Sequence, residues 1–204
     1  MVGVVKKLLF FSVLFCAGTA HADLRGPYYP TTCINLDLGS GHTDWTNVER
    51  VVGAPDSFTA HCSSAQSNAA RCSGYGFGLP PNAIIDGIVL SVRKKADSGK
   101  LVRDDRVNLY KVDGTSTTTK ADQSNYWNDS VLTNYDYGSS TDTWGFTWTY
   151  QEINAITFGP GFSGEKDAGG STGYDLDSLG ITVYFHRIPK NEVRKATLRK
   201  MVLK

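Results

Sequence analysis

Two pairs of carboxylates are the residues best suited to chemistry. Asp104 and Asp105 precede one apolar run of the chain, and Asp175 and Asp177 precede the last one. Clustered carboxylate oxygens are the ligands that calcium prefers, so these four residues are candidate metal ligands. Two carboxyl groups that face each other across a groove can also hydrolyse a glycosidic bond. Aspartates equally often start and end strands as turn formers, and the sequence leaves the three interpretations open.

A second candidate site consists of aromatic residues in polar connecting segments. Tyr126, Trp127, Tyr135 and Tyr137 lie among Asn, Ser and Gly residues, where amphipathic aromatic side chains often serve recognition. We interpret these four residues as a candidate ligand-binding surface, on which sugar rings can stack. Trp144, Phe146 and Trp148 recur at every second position and are instead expected to fill a core.

The sequence offers little for nucleophilic catalysis. It contains no G-x-S-x-G, H-E-x-x-H, P-loop or dinucleotide-binding motif. His61 and Cys62 are adjacent, and neighbouring residues on a strand point to opposite faces, so they are not expected to form a catalytic pair. His186 is expected to be a surface or hydrogen-bonded residue. We therefore predict a protein that is not an enzyme.

The cysteines predict a disulfide. Cys62 and Cys72 enclose nine residues rich in Ser, Ala and Asn, so this pair is the first choice, while pairing of Cys33 with either of them stays open. The cysteines lack a paired C-x-x-C and no histidine lies at ligand spacing from them, so a metal site is not expected there. An exported protein favours disulfides, because thiols oxidise outside the cytoplasm.

The first 22 residues have the features of a signal peptide. Lys6 and Lys7 form a positive region, residues 8–15 an apolar one, and Ala20-His21-Ala22 a small-residue cleavage signal before Asp23. We therefore expect secretion, either to the periplasm or out of the cell. No apolar run of 18 residues follows, so no transmembrane anchor is expected.

Charge separates the body of the chain from its end. Residues 23–189 hold 13 basic and 19 acidic residues, a net charge of −6, whereas residues 190–204 carry +5. A basic tail can contact anionic lipid, polysaccharide or the acidic body of another copy. The candidate contacts are Lys190, Arg194, Lys195, Arg199, Lys200 and Lys204. The whole chain has a net charge of only +1, which argues against a nucleic-acid partner.

Alternating apolar and polar residues predict strands over residues 84–93, 106–112, 144–150 and 181–187. Gly87 inside the first strand predicts a bulge or a close backbone approach. Thr149 and Glu152 have the spacing of a capping box, which predicts one turn of helix over residues 150–155. Residues 115–124 are polar and are predicted to be a loop, and residues 191–203 have the composition of a helix.

Many short strands with glycine-rich turns, and no alternation of strands with helices, predict an all-β fold. We expect an antiparallel, jelly-roll-like β-sandwich of about eight strands, with one short helical turn and a basic C-terminal tail. The predicted organisation is a signal peptide over 1–22, an extended segment over 23–44, the sandwich over 45–189 and the tail over 190–204.

Several blocks of the sequence carry a resemblance that spans about residues 45–185. These are Tyr75-Gly76-Phe77-Gly78-Leu79-Pro80, Asp105-x-Val107-x-Leu109-x-Lys111, Trp144-Gly145-x-x-Trp148-Thr149 and Asp177-x-Leu179-x-Ile181-Thr182-Val183-Tyr184. The chain resembles a β-sandwich family of uncharacterised bacterial and phage-associated proteins, some of them known only as virion or tail-associated. The resemblance implies a jelly-roll-like fold and no established activity. The chain departs from that pattern at residues 61–73 and in the basic tail.

These features favour an exported, noncatalytic β-sandwich that acts as a structural or assembly protein at a surface or in a particle. Its expected partners are other copies of the chain or a larger assembly. The alternative is a module that recognises a glycan or a cell surface, with calcium as a possible aid and no other cofactor.

Overall fold

A computed structural model describes residues 22–167 and 173–187, and within them the chain is all-β with one short α-helix. The eleven strands are β1 Ala22–Tyr28, β2 Thr32–Leu36, β3 His42–Thr43, β4 Ala60–Cys62, β5 Gln66–Ser67, β6 Ala69–Ser73, β7 Ala83–Ala96, β8 Val102–Tyr110, β9 Thr133–Ser139, β10 Gly159–Lys166 and β11 Tyr174–Arg187. A 3-10 helix spans Val48–Val51, and the α-helix, α1, spans Tyr150–Asn154. Eight of these strands have five residues or more, which agrees with the prediction of about eight.

The strands form two sheets. Sheet A has the order β1-β11-β7-β9, with β4 also pairing β11. Sheet B has the order β2-β6-β10-β5-β3, with β8 pairing β10. All of these pairs are antiparallel except the short β3–β5 pair. The predicted antiparallel sandwich is therefore confirmed.

Alternation along the two longest strands builds the core. Ile88, Leu90 and Val92 of β7 are fully buried, as are Ile181 and Val183 of β11. Side chains of one phase point between the sheets because successive residues of a strand face opposite ways. Within the described residues, no helix is long and apolar enough to cross a membrane.

The structure shows both a bulge and a close backbone approach at Gly87, the two features that the sequence predicted as alternatives. The β7–β11 register shifts beside it, since Tyr184 is opposite Gly87 and Phe185 is opposite Ile85. A Cβ atom at Gly87 would lie 2.4 Å from the carbonyl oxygen of Ser139. Glycine is therefore required here because another backbone passes too close for a side chain.

The short helix is also confirmed. The Thr149 hydroxyl accepts a hydrogen bond from the Glu152 amide at 3.2 Å, and the Glu152 carboxylate accepts one from the Thr149 amide at 2.8 Å. These reciprocal bonds form a capping box, which satisfies amides at the start of a helix.

The predicted strand over residues 144–150 is wrong. Trp144 and Gly145 adopt left-handed backbone conformations, with φ of 58° and 76°, and the chain turns there before α1 begins. The alternating aromatic residues suggested a strand, but Trp144 and Trp148 reach the core from this turn. The expected burial is therefore correct for Trp144 and Trp148, whereas Phe146 is only partly buried against the core.

The segment predicted to precede the sandwich is part of it. β1 pairs with β11 in sheet A and β2 pairs with β6 in sheet B, so strands of residues 23–44 extend both sheets. Residues 1–21 of the predicted signal peptide, the basic tail and the helix predicted over residues 191–203 lie outside the described residues.

The predicted Cys62–Cys72 disulfide is wrong, because the bond joins Cys33 to Cys72. These two residues are direct partners in the β2–β6 ladder, with Cα atoms 4.1 Å apart. Cys62 lies on β4 in the other sheet, where it is a buried free thiol. The chain crosses from sheet A to sheet B within residues 63–65, so the short sequence separation of Cys62 and Cys72 does not bring them together. A disulfide is compatible with the predicted export to an oxidising compartment.

We expect alkylation of the unreduced, denatured chain from residue 23 to modify Cys62 alone. The substitution Cys72→Ser should lower the free energy of unfolding by about 4 kcal/mol, because the bond closes a loop of 39 residues. Cys62→Ser is the control and should leave the disulfide intact. Denaturant unfolding and peptide mapping measure both results, and alkylation of Cys33 in the unreduced protein would contradict the assignment.

Candidate functional site

A buried lysine occupies the space between the two sheets at the end of β7. Lys94 continues the inward phase of Ile88, Leu90 and Val92, and only 1% of the residue is exposed. Leaving an ammonium group in an apolar interior costs several kcal/mol unless it is paired and hydrogen-bonded. The neighbouring side chains must therefore satisfy it.

Asp104 provides the opposite charge from the facing sheet. It lies on β8 of sheet B and is also buried, and its Oδ1 atom accepts a hydrogen bond from the Lys94 ammonium. Lys94 Nζ also donates to the Tyr137 hydroxyl at 2.5 Å, and that hydroxyl donates to Asp104 Oδ2 at 2.7 Å. The indole of Trp127 donates to Asp104 Oδ1 at 2.9 Å. The carboxylate is thus fully surrounded by donors.

Four aromatic rings enclose the same ammonium group. Lys94 Nζ lies 4.5 Å from the ring centroid of Trp127, 4.6 Å from Tyr135, 5.1 Å from Tyr137 and 4.8 Å from Phe162. A cation within about 6 Å of a ring face is attracted by the ring electrons. We call Lys94, Asp104 and these four rings the lysine cage.

Burial changes the ionisation of the cage. Desolvation lowers the pKa of Lys94 from 10.5 to about 8, although attraction to Asp104 opposes the change. Desolvation also raises the pKa of the Tyr137 phenol, and the Asp104 charge raises it further. At neutral pH the cage therefore holds a charged lysine and a neutral tyrosine.

A polar segment of the chain closes the cage and opens a pocket beside it. Residues 115–127 run along the outer edge of β8, where the amides of Lys120 and Trp127 donate to the carbonyls of Val107 and Val102, each at 2.8 Å. The adjoining pocket has a volume of about 200 Å³. Besides cage residues it is lined by Lys120, Asp122, Asn125 and Asp136.

The predicted aromatic surface is brought together only in part. Trp127, Tyr135 and Tyr137 line the pocket, but Trp127 and Tyr137 are buried and contact Lys94. Tyr126 is exposed and donates to Asp167 at 2.6 Å, outside the residues that line the pocket. Tyr135 is therefore the predicted residue with an accessible position in the pocket.

The four aspartates predicted as metal ligands are separately engaged. Asp104 pairs with Lys94, Asp105 accepts from Ser163, Asp175 pairs with His61 and Lys95, and Asp177 pairs with Arg93. They also lie within β8 and β11, not before them as predicted. Calcium binding by either pair stays a prediction.

One cluster has the residue types of a catalytic triad in an order that does not activate a nucleophile. Ser163 donates to Asp105 Oδ2 at 2.7 Å, and His42 Nε2 lies 3.4 Å from the same oxygen without a hydrogen bond to it. Activation requires the histidine between the serine and the aspartate. Ser163 is also fully buried.

His186, as expected, is hydrogen-bonded, with Asp86 at 2.7 Å.

The sequence reasoning missed Lys94, Lys120, Asp122, Asn125 and Asp136. A signal for Lys94 was present, because it continues the apolar phase of the strand predicted over residues 84–93, two residues after Val92. The pocket residues gave no such signal, since they are polar residues in a polar segment. The six basic residues of the tail lie outside the described residues.

Comparison with protein-family models and with curated proteins found no match to this chain.

The lowered pKa of Lys94 predicts a pH dependence of stability. Between about pH 8 and 9.5 the unfolded chain binds more protons at this lysine than the folded chain, so the free energy of unfolding should rise with pH. The reference is the double substitution Lys94→Met and Asp104→Asn, which removes both charges. Denaturant unfolding measures the free energy of unfolding across this range, and it should rise more steeply with pH in the native chain than in the reference. An equal pH dependence in the two proteins would mean that the pKa of Lys94 is the same in the folded and the unfolded chain.

Proposed function

We propose that the protein is an exported, noncatalytic β-sandwich that acts as a structural component of a surface or particle assembly. The observation that carries the proposal is that two outer strands that follow each other in the chain, β1 and β2, both have exposed large apolar side chains. Leu24, Tyr28, Ile34 and Phe58 are four of the ten large apolar side chains exposed in the described residues. We call these four residues the β1/β2 side.

Topology places these residues on or beside outer strands. β1 is an outer strand of sheet A and β2 an outer strand of sheet B, and only residues 29–31 connect them. Phe58 is 65% exposed and precedes β4. Both β4 and β1 pair with β11, at the edge of β11 that β7 does not occupy. The exposed apolar groups therefore lie on or beside an outer strand of each sheet.

Edge strands and grouped apolar side chains are both features of assembly surfaces. An outer strand has main-chain groups that can pair with another chain, whereas scattered single apolar residues need no explanation. Ile34 is 54% exposed on the five-residue strand β2. The Cys33–Cys72 disulfide holds that strand to β6, so the surface is rigid before it meets a partner.

The interior chemistry supports a noncatalytic role. The charged groups that could serve as acids, bases or nucleophiles in the lysine cage are bound to each other, and Lys94 is 1% exposed. These groups hold the folded scaffold together, and we therefore look for binding of partners at the protein surface.

The assembly proposal predicts a defined oligomer of the chain from residue 23, measured by light scattering over a range of concentrations. Leu24→Lys and Ile34→Lys should shift it to monomer, because each places a charge in the contact. Ile156→Lys is the matched control, since Ile156 is 78% exposed but lies between α1 and β10. Removal of residues 190–204 tests the separate contribution of the basic tail.

A monomer at all concentrations would contradict self-assembly through the β1/β2 side. Equal loss of the oligomer in the Ile156→Lys variant would also contradict it, because the effect would then be one of general surface charge. Circular dichroism establishes that each variant is folded.

A second candidate function is recognition of a glycan, which the pocket beside the lysine cage favours. Carboxylates such as Asp122 and Asp136 can accept hydrogen bonds from sugar hydroxyls, and Tyr135 offers an aromatic ring. The volume of about 200 Å³ is small compared with usual ligand pockets. It therefore suits one sugar unit, such as a chain end.

Screening on a glycan array, followed by calorimetry, tests this alternative. Asp122→Ala should abolish binding of any glycan found, while Asp129→Ala should not. Asp129 is the matched control because it is an exposed loop aspartate outside the pocket. Repeating the titration with calcium and with a chelator separates calcium-assisted from direct recognition, and equal loss in both variants would contradict the pocket assignment.

A further inference from the structure

Three metal-ligating side chains converge on the outer face of sheet A, away from the lysine cage. Asp175 on β11 has His61 of β4 as its ladder partner on one side and Lys95 of β7 on the other. Cys62, Tyr174 and Ala96, the next partners in the same ladders, are buried in the core. Strand alternation therefore turns His61, Asp175 and Lys95 outward in one row.

Asp97 adds a second carboxylate to this row. It follows β7 two positions after Lys95, so it continues the same outward phase. Its amide donates to the Gly173 carbonyl at 3.0 Å, and its Oδ2 atom accepts from the Gly173 amide at 2.6 Å. These reciprocal bonds fix Asp97 beside the start of β11.

The three side chains are close enough to share one ion. One ligand atom from each of His61, Asp97 and Asp175 lies within 4.8 Å of the other two, and all three residues are partly buried. Movements of under about 1 Å would bring each to a metal–ligand distance near 2.1 Å. His61 lies on β4, Asp175 lies on β11 and Asp97 directly follows β7, so three neighbouring strands of sheet A position the ligands.

We propose that His61, Asp97 and Asp175 bind a divalent transition-metal ion, with zinc as the species to test. A histidine nitrogen combined with two carboxylate oxygens suits zinc and its neighbours, whereas calcium and magnesium prefer oxygen ligands alone. Three protein ligands leave a fourth position for water. The site is independent of the assembly and glycan proposals, because it uses none of their residues.

Two contacts of Asp175 bear on the ion. His61 Nδ1 lies 3.0 Å from Asp175 Oδ1, and Lys95 Nζ lies 3.2 Å from Asp175 Oδ2. Zinc takes the place of the shared proton of the His61–Asp175 contact. The Lys95 charge opposes the ion, so its removal by Lys95→Gln should strengthen binding.

The ion would tie together three segments at one end of sheet A. His61 also exchanges backbone hydrogen bonds with Thr46 at 2.8 and 3.0 Å, so β4 connects the site to the chain before the 3-10 helix. Bound zinc is expected to stabilise the folded state, because the unfolded chain lacks the arranged ligands.

Isothermal titration of zinc into the metal-free chain from residue 23 tests the site, with thermal unfolding as a second readout. We expect one zinc per chain and a higher melting temperature with zinc than with chelator. His61→Gln, Asp97→Asn and Asp175→Asn should each weaken binding more than about tenfold, and Lys95→Gln should tighten it. Calcium and magnesium should not compete.

His186→Gln is the matched control, because His186 and Asp86 form a similar outward pair at 2.7 Å that is not part of a three-ligand cluster among the described residues. It should bind zinc like the native chain. The proposal is overturned if millimolar zinc gives no heat and no thermal shift, or if His186→Gln loses binding as the His61 variant does. Circular dichroism excludes unfolding as the cause in each variant.

Discussion

The contact between Lys94 and Asp104 is the constraint on which the arrangement of the two sheets depends. Each residue comes from a different sheet and both are buried, so neither charge can be satisfied unless the sheets meet in one register. A buried pair adds little to stability compared with an apolar pair of the same shape, but losing one partner is costly. The hydrogen bonds from Tyr137 and Trp127 extend this requirement to β9 and to the segment over β8. The cage therefore selects one packing of the sandwich.

Much of the fold follows from local patterns in the sequence. The strands around Leu90, Leu109 and Val183, the bulge at Gly87 and the capping box at Thr149 are each determined by neighbouring residues, and the structure confirms them. Trp144 was assigned to a strand because alternation cannot distinguish a strand from a turn that buries every second aromatic residue. Its left-handed conformation depends on contacts far along the chain, including the hydrogen bond from its indole to the Ile88 carbonyl.

The sites were less predictable because they join residues from distant strands. The partner of Cys72 is set by the β2–β6 ladder, which spacing along the chain does not reveal. The prediction that Tyr135 and Tyr137 lie in a connecting segment is wrong, because both belong to β9. Their rings and that of Trp127 surround the Lys94 ammonium, a side chain of the protein itself. An aromatic cluster has the same composition whether it binds an external molecule or an internal cation. Only the inward position of Lys94 on an alternating strand distinguishes the two cases.

The interior and the surface of the sandwich have different parts in the proposed role. The interior uses its charges and rings to fix a scaffold, whereas the proposed ion site and the proposed assembly surface are made of outward-facing residues and edge strands. The central claim is that the Lys94 ammonium lies among aromatic rings between the sheets. Proton–nitrogen NMR at neutral pH, with the Lys94 side chain assigned by substitution, tests it most directly. The account predicts a slowly exchanging ammonium signal with contacts to the rings of Trp127 and Tyr135, whereas an ammonium that exchanges freely with water would contradict it.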